Sequence, residues 1–249
     1  MTSPANFYLL RGLGRDSRHW GSFIQQLESQ SYCHKAIGMD LPGTGRFNEL
    51  SSPLTIKQTA EFVATQIETD EHEPKVLVAV SLGAMVGLEL LKIRPQMFQK
   101  AFVMNSSFKN LSPIKHRLQL AGMKQLVKIL SFKNDPEKSE YEVLKMVSAN
   151  KERWQEVSQE WAKLATEKRI KPQNFARQLA AAALYKLYPE PPETPVIILN
   201  GGKDKMVHPD CSQALADYWE APLYTNLKAG HDICIDDPEW VLERIEHCL

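Results

Sequence analysis

A chain of 249 residues is long enough for one large domain with a sizeable core, or for one domain carrying an insertion. Hydrophobic residues make up 43% and charged residues 24%, and 30 Lys and Arg balance 30 Asp and Glu, a zero balance that gives no hint of nucleic acid, whose phosphates call for a basic surface. No apolar run approaches the ~20 residues that span a bilayer; the longest, Val76 to Leu90, contains Ser81 and Glu89.

The first residues, MTSPANFYLL, have no basic stretch leading into an apolar one, so no secretory signal is expected. Cys33, Cys211, Cys234 and Cys248 are scattered, without C-x-x-C spacing. Reduced thiols in a cytoplasmic protein are the expectation.

Six short apolar segments, bounded by Gly, Pro, Asn or Ser, read as strands covered on both faces. In chain order they are Asn6–Leu10, Lys35–Asp40, Lys75–Val80, Ala101–Asn105, Pro195–Asn200 and Pro222–Leu227. Helical patterns lie between them. One runs from His19 to Ser29. A second follows Thr55, a candidate cap, and extends to Asp70 with Ile56, Ala60, Val63 and Ile67 on one face. A third begins after Ser81 and ends near Pro95, and two more occupy His208–Glu220 and Asp237–Leu249. Strands alternating with helices predict an α/β fold: a doubly wound, mostly parallel six-stranded sheet with helices on both faces.

Residues 111–189 break the alternation. They contain no strand pattern and about four helical ones, including a face shared by Trp154, Val157, Trp161 and Leu164. The expected organisation is a core of 1–110 and 190–249 with a helical insertion at 111–189. The insertion carries an excess of Lys and Arg, which reads first as solvated helix faces and second as a dock for an anionic partner.

Ser81 stands where the third strand meets its helix, in AVSLG, between Ala79 and Gly83. A serine on so sharp a turn is lifted above the sheet, and the helix N-terminus brings free N–H groups and positive dipole to it. A hydroxyl needs a base, and the base an orienting acid. Asp204 lies just past the fifth strand and His231 just past the sixth, so both are expected at the same sheet edge as Ser81. Asp232, Asp236 and Asp237 crowd His231 in sequence, but a neighbour on an extended segment points away from it. Asn105–Lys109, after the fourth strand, offers no carboxylate. The remaining histidines are weaker candidates: His208 as a helix-entry residue, His19 as a surface or substrate contact. No His, Asp and Glu group has metal-ligand spacing, so no metal and no cofactor is expected.

The AVSLG stretch resembles the G-x-S-x-G nucleophile elbow of the α/β-hydrolase superfamily, with Ala79 at the first glycine, and Ser, Asp, His is the chain order of that fold. RGLGRDSRHW (Arg11–Trp20) is similar to the family's H-G-x-G loop, with Arg11 at the histidine, and DLPGTGR (Asp40–Arg46) to its D-x-P-G-x-G turn. Ser17 excludes a dinucleotide fingerprint, which needs a third glycine there. The resemblance runs from Phe7 to Trp240 outside the insertion and suits a short form with six strands. It implies oxyanion-hole N–H groups at Leu13 and Leu82, a helical lid at 111–189, and a serine hydrolase acting on a small-molecule carboxylic ester of small or medium acyl group. A thioesterase, a lyase, a hydrolase of carrier-bound acyl esters or a non-catalytic binding protein of the same fold are the alternatives. Haloalkane and epoxide chemistry is disfavoured, because those relatives carry aspartate where this chain has Ser81.

Overall fold

The computed structural model describes residues 3–67, 73–132 and 134–249. Its sheet comprises β1 (Ala5–Leu10), β2 (Cys33–Met39), β3 (Lys75–Val80), β4 (Lys100–Met104), β5 (Val196–Gly201) and β6 (Leu223–Asn226), all parallel, in the order β2-β1-β3-β4-β5-β6. Each strand lies within two residues of its expected bounds. Every residue of β1, β3 and β5 is buried, as expected of strands covered on both faces.

Alternate side chains feed two cores. Tyr8, Leu10, Leu77, Ala79, Val103 and Ile198 face α2 (Ile56–Ala64), α3 (Leu82–Ile93) and α9 (Asp210–Trp219). Phe7, Leu9, Val78, Phe102 and Leu199 face α1 (Phe23–Glu28) and α11 (Pro238–Cys248). Thr55 caps α2 as expected, accepting from the Gln58 N–H at 3.2 Å. The end of that expected helix, residues 68–70, lies outside the described residues. The first expected helix divides into a 3₁₀ turn at Ser17–Trp20 and α1, because Gly21 adopts a positive φ of 53° between them.

Between β4 and β5 lie α4 (Ile114–Arg117), α5 (Leu120–Ser131), α6 (Pro136–Val147), α7 (Trp154–Glu167) and α8 (Pro172–Leu184), one more helix than the sequence suggests. The extra element is the single turn α4, too short to show a periodicity. The expected face of α7 is present: Val157 and Trp161 are buried with Leu144 and Val147, and Trp154 and Leu164 pack on them. α10 (Ile233–Asp236) is a single turn after β6. Among the described residues no helix is long and apolar enough to cross a membrane, and all four cysteines are free thiols.

The strand order reverses at β1: the chain moves outward to β2, then returns to place β3 on the other side. In open parallel sheets ligands bind outside the carboxyl ends of strands at such a switch point. The β1 end leads into Arg11–Gly14 and the β3 end into Ser81, so the two motifs singled out in the sequence meet there.

Candidate active site

Ser81 has φ 57° and ψ −117°, a conformation that costs a non-glycine residue ~1–3 kcal/mol and persists only where its surroundings hold it. Here its N–H donates to Met104 O at 2.8 Å, and its carbonyl accepts from Ser106 Oγ at 2.9 Å and from Ala84 N at 3.1 Å. Gly83 is required by proximity, since a Cβ there would stand 2.4 Å from Leu10 O. Gly12 lies over the serine; a Cβ on it would be 3.1 Å from Ser81 Cβ. Leu82 opens α3, where a helix leaves its first N–H groups unpaired, and Leu13 follows Gly12 in the loop above.

Asp204 and His231 meet as expected. His231 Nδ1 is 2.7 Å from Asp204 Oδ2, with both side chains almost wholly buried. Asp204 Oδ1 accepts from the N–H groups of Met206 and Val207 at 2.8 and 2.9 Å, which fixes the carboxylate. Burial acts most strongly on the imidazole and favours its neutral form. The Asp204 charge and hydrogen bond outweigh it, so the His231 pKa is raised above the ordinary 6.5. Among the described residues Ser81 Oγ forms no hydrogen bond; that contact commonly tightens only around a bound substrate.

The other carboxylates beside His231 are engaged elsewhere. Asp236 accepts from Ser148 Oγ and from the N–H groups of Ala149, Asn150 and Gly230, and burial raises its pKa. Asp237 caps α11 and accepts from Asn226 Nδ2 at 2.8 Å. Asp232 forms a buried two-pronged ion pair with Arg11, one arm at 3.2 Å, and the Arg11 guanidinium lies 4.7 Å from the Trp20 ring centroid. Arg11, the position where this chain departs from the family loop, thus ties the loop over Ser81 to the residue following His231. Asn105, at φ 48°, makes a second tie: its amide donates to the Gly230 and His231 carbonyls and accepts from Gly201 N at 2.9 Å. Neither tie is visible in sequence spacing.

The β4–β5 segment docks on the loop over Ser81. Gly14 N donates to Gln178 Oε1 at 3.0 Å, and Arg15 pairs with Glu140 at 2.7 Å while lying over Trp161 at 4.3 Å. His19 is buried rather than at the surface: Asp16 N donates to its Nδ1, its ring meets Trp161 edge-on, and burial lowers its pKa. A substrate contact by His19 is therefore not supported. Asp40 of the D-x-P-G-x-G turn braces the same loop, accepting from Ser17 N and Arg46 N. Within the segment, Trp161 packs on Arg15 and His19, and Met123 is about half exposed. Trp154, with Gln119 and Lys203, lines a crevice of about 590 Å³ that reaches Asp204. A second crevice, about 490 Å³, is lined by segment residues alone and touches none of the candidate catalytic groups.

The family model described as "Alpha/beta hydrolase family" matches residues 7–244. Over 87 residues the chain is 33% identical to ABHD14B of Pongo abelii, covering 33% of this chain and 40% of that protein. Over 135 residues it is 31% identical to the pimeloyl-[acyl-carrier protein] methyl ester esterase of Pseudoalteromonas atlantica, covering 52% of this chain and 50% of that one. The chain thus spans half or less of the length of these relatives. An esterase from Exiguobacterium antarcticum superposes with a TM-score of 0.77 at 14% identity, over 100% of this chain and 92% of that one, which shows a shared fold. With a model match over nearly its full length and the matching sheet, the chain belongs to the alpha/beta hydrolase family.

Proposed function

We propose that the protein is a serine hydrolase that cleaves carboxylic esters of small or medium acyl groups through Ser81, His231 and Asp204. The observation that carries the reading is the 2.7 Å bond between His231 Nδ1 and Asp204, formed at the sheet edge where Ser81 stands on a strained turn. Asp204 selects the tautomer that leaves Nε2 free to take a proton. Ser81 Oγ attacks the carbonyl carbon as His231 takes its proton. The N–H groups of Leu82 and Leu13 bond the oxyanion, and the α3 dipole adds to them. The intermediate collapses, and the alcohol leaves with the proton from His231. Water, deprotonated by His231, then attacks the acyl-enzyme, releasing the acid and returning the proton to Ser81.

In this reading residues 111–189 are a lid, and contacts such as Gly14–Gln178 and Arg15–Glu140 seat it on the oxyanion loop. A second reading is favoured by one comparison: a relative 31% identical is named for an ester carried on an acyl-carrier protein, and the segment is rich in Lys and Arg. The two readings separate by salt, since attraction between exposed charges weakens as the Debye length falls from ~10 Å at 0.1 M to ~3 Å at 1 M.

A fluorophosphonate probe is expected to label Ser81, and Ser81→Ala to lose labelling and roughly 10⁶-fold in turnover. Labelling of the variant at the native level would move the nucleophile elsewhere. Across p-nitrophenyl esters and thioesters of graded length, salt-insensitive turnover of short neutral esters supports the first reading. Turnover confined to carrier-bound acyl esters, with a steep loss in salt, would replace it with the second.

A further inference from the structure

His116 and His208 are far apart in the chain, and Asp210 follows His208 by two residues. The fold brings all three together. His116 lies in α4 of the β4–β5 segment, His208 in the loop after β5, and Asp210 opens α9. One ligand atom from each lies within 4.8 Å of the other two. We propose that these three side chains bind a divalent transition-metal ion of the zinc class and thereby clamp the segment to the loop that carries Asp204.

Two features point to a cation at this position. The first is spacing. His208 Nδ1 is 3.3 Å and His116 Nδ1 3.8 Å from the same oxygen, Asp210 Oδ2. Tetrahedral bonds of ~2.0–2.1 Å set ligand atoms roughly 3.3–3.5 Å apart, so one edge fits as it stands and the other needs about half an ångström. The Asp210 N–H donates to His208 Nδ1 at 3.2 Å, a bond that the ion would replace.

The second feature is that the backbone is already joined: His208 N donates to His116 O at 2.8 Å, which holds together the chain segments that carry the ligands. The two imidazoles stack with centroids 4.6 Å apart and planes 23° apart, so their in-plane lone pairs run nearly parallel and at least one ring turns out of the stack to bind the ion. The three side chains are 29%, 40% and 63% exposed, which gives the ion a path in and leaves a coordination position for water. Two imidazoles and one carboxylate suit zinc, nickel or copper, and suit magnesium and calcium poorly because those ions prefer oxygen alone.

The consequence of binding follows from what adjoins the site. Gln119, three residues after His116, donates its N–H to Met206 O at 2.9 Å and its side chain to Asp204 O at 2.7 Å. The segment from His116 to Gln119 thus lies along the loop from Asp204 to His208. An ion joining His116 to His208 would hold that loop, and with it Asp204, more stiffly. This consequence for turnover rests on the role given above to Asp204; the binding itself does not.

The test begins with chelator-stripped protein titrated with zinc alone, followed by calorimetry and thermal denaturation, and with cobalt followed by visible absorption. One ion per chain is expected, with a rise in Tm and a cobalt spectrum of mixed nitrogen and oxygen ligation. Affinity should fall at least tenfold in His116→Ala and in Asp210→Asn, and vanish in the double variant H116A/H208A. Circular dichroism melts of the metal-free variants, superimposed on the native melt, show that folding is intact. Absence of saturable binding overturns the proposal. So does binding that survives in H116A/H208A and is lost in Cys248→Ser, which would place the ion at the C-terminus. The same titration in Ser81→Ala should give unchanged affinity, so a failed hydrolase assignment leaves this result standing. Zinc that binds as expected but leaves ester turnover unaltered refutes the coupling to Asp204.

Discussion

The two sides of the candidate site are held together differently. On the sheet side β1, β3 and β5 are buried throughout, and the cores above and below are continuous apolar clusters. On the side of the β4–β5 segment the buried apolar cluster is small, built on Leu144, Val147, Val157, Trp161 and Ile235. Ala181 and Leu187 also reach into the sheet-side core, and the rest of the attachment is directional: Arg15 to Glu140, Gln178 to Gly14, Asn174 to Ser52 and Leu50, and Asp236 to residues 148–150. Apolar burial scales with area and is hard to lose piecemeal, at ~25 cal/mol per Å². Individual hydrogen bonds contribute only about 0.5–1.5 kcal/mol net. The segment is therefore expected to open without unfolding the sheet.

The comparison is tested most strongly at the acid. Asp204→Asn leaves the shape of the sheet edge intact, and turnover should fall by up to ~10⁴. The pH profile adds a sign. The imidazole must be neutral to act as base, and its pKa is raised above 6.5 because the upward pull of Asp204 outweighs burial. The acid limb of kcat/KM is thus expected above pH 6.5 in the native protein, and at lower pH in the variant, where burial acts without that opposing pull. Near-native turnover in Asp204→Asn, with collapse in Asp236→Asn, would transfer the role.

Next in size is the buried pair on the sheet side. Arg11→Met leaves Asp232 buried without its partner, which typically costs about 3–5 kcal/mol. Urea denaturation should show that loss, and the double variant Arg11→Met, Asp232→Leu should recover part of it. Equal stabilities for all three proteins would mean the pair is not closed in solution.

Glu140→Gln probes the segment side. Both members of its pair with Arg15 are largely buried, so loss of the charge should cost about 1.5–3 kcal/mol. The loss should appear locally, as faster protease cleavage within residues 111–189, with little change in the global melt. A global Tm drop as large as that of Arg11→Met would erase the distinction between the two sides. The smallest effect is expected at Glu167, 67% exposed, which meets Arg18 at 2.9 Å; Glu167→Gln should change stability by about 0.2–1 kcal/mol, less at high salt.

Much of the site was legible because its signals are local. Strands such as Lys75–Val80 declare themselves through runs of apolar residues, and Ser81, Asp204 and His231 each stand a few residues past such a run. In a parallel sheet those ends share one edge, so placing three residues along the chain also placed them at that edge. The order Ser, Asp, His and the glycine at position 83 added detail that needed no long-range contact.

What stayed hidden was long-range. Whether Arg11 meets Asp232, or His116 meets His208, is settled by the β2-β1-β3-β4-β5-β6 order and by how the β4–β5 helices lie across it. His19 sits in a polar stretch and shows no apolar period, yet Trp161 from a distant helix buries it. Asp232 and Asp236, which follow His231 closely in sequence, took other partners because the fold brings Arg11 and residues 148–150 against them. The sequence by itself determined the strands, the turns and the residues at their ends, since those depend on neighbours a few positions away. Only the tertiary structure decided which charges pair across the loops, because an ion pair depends on distance in space, and loops of unlike length carry no period from which that distance can be read.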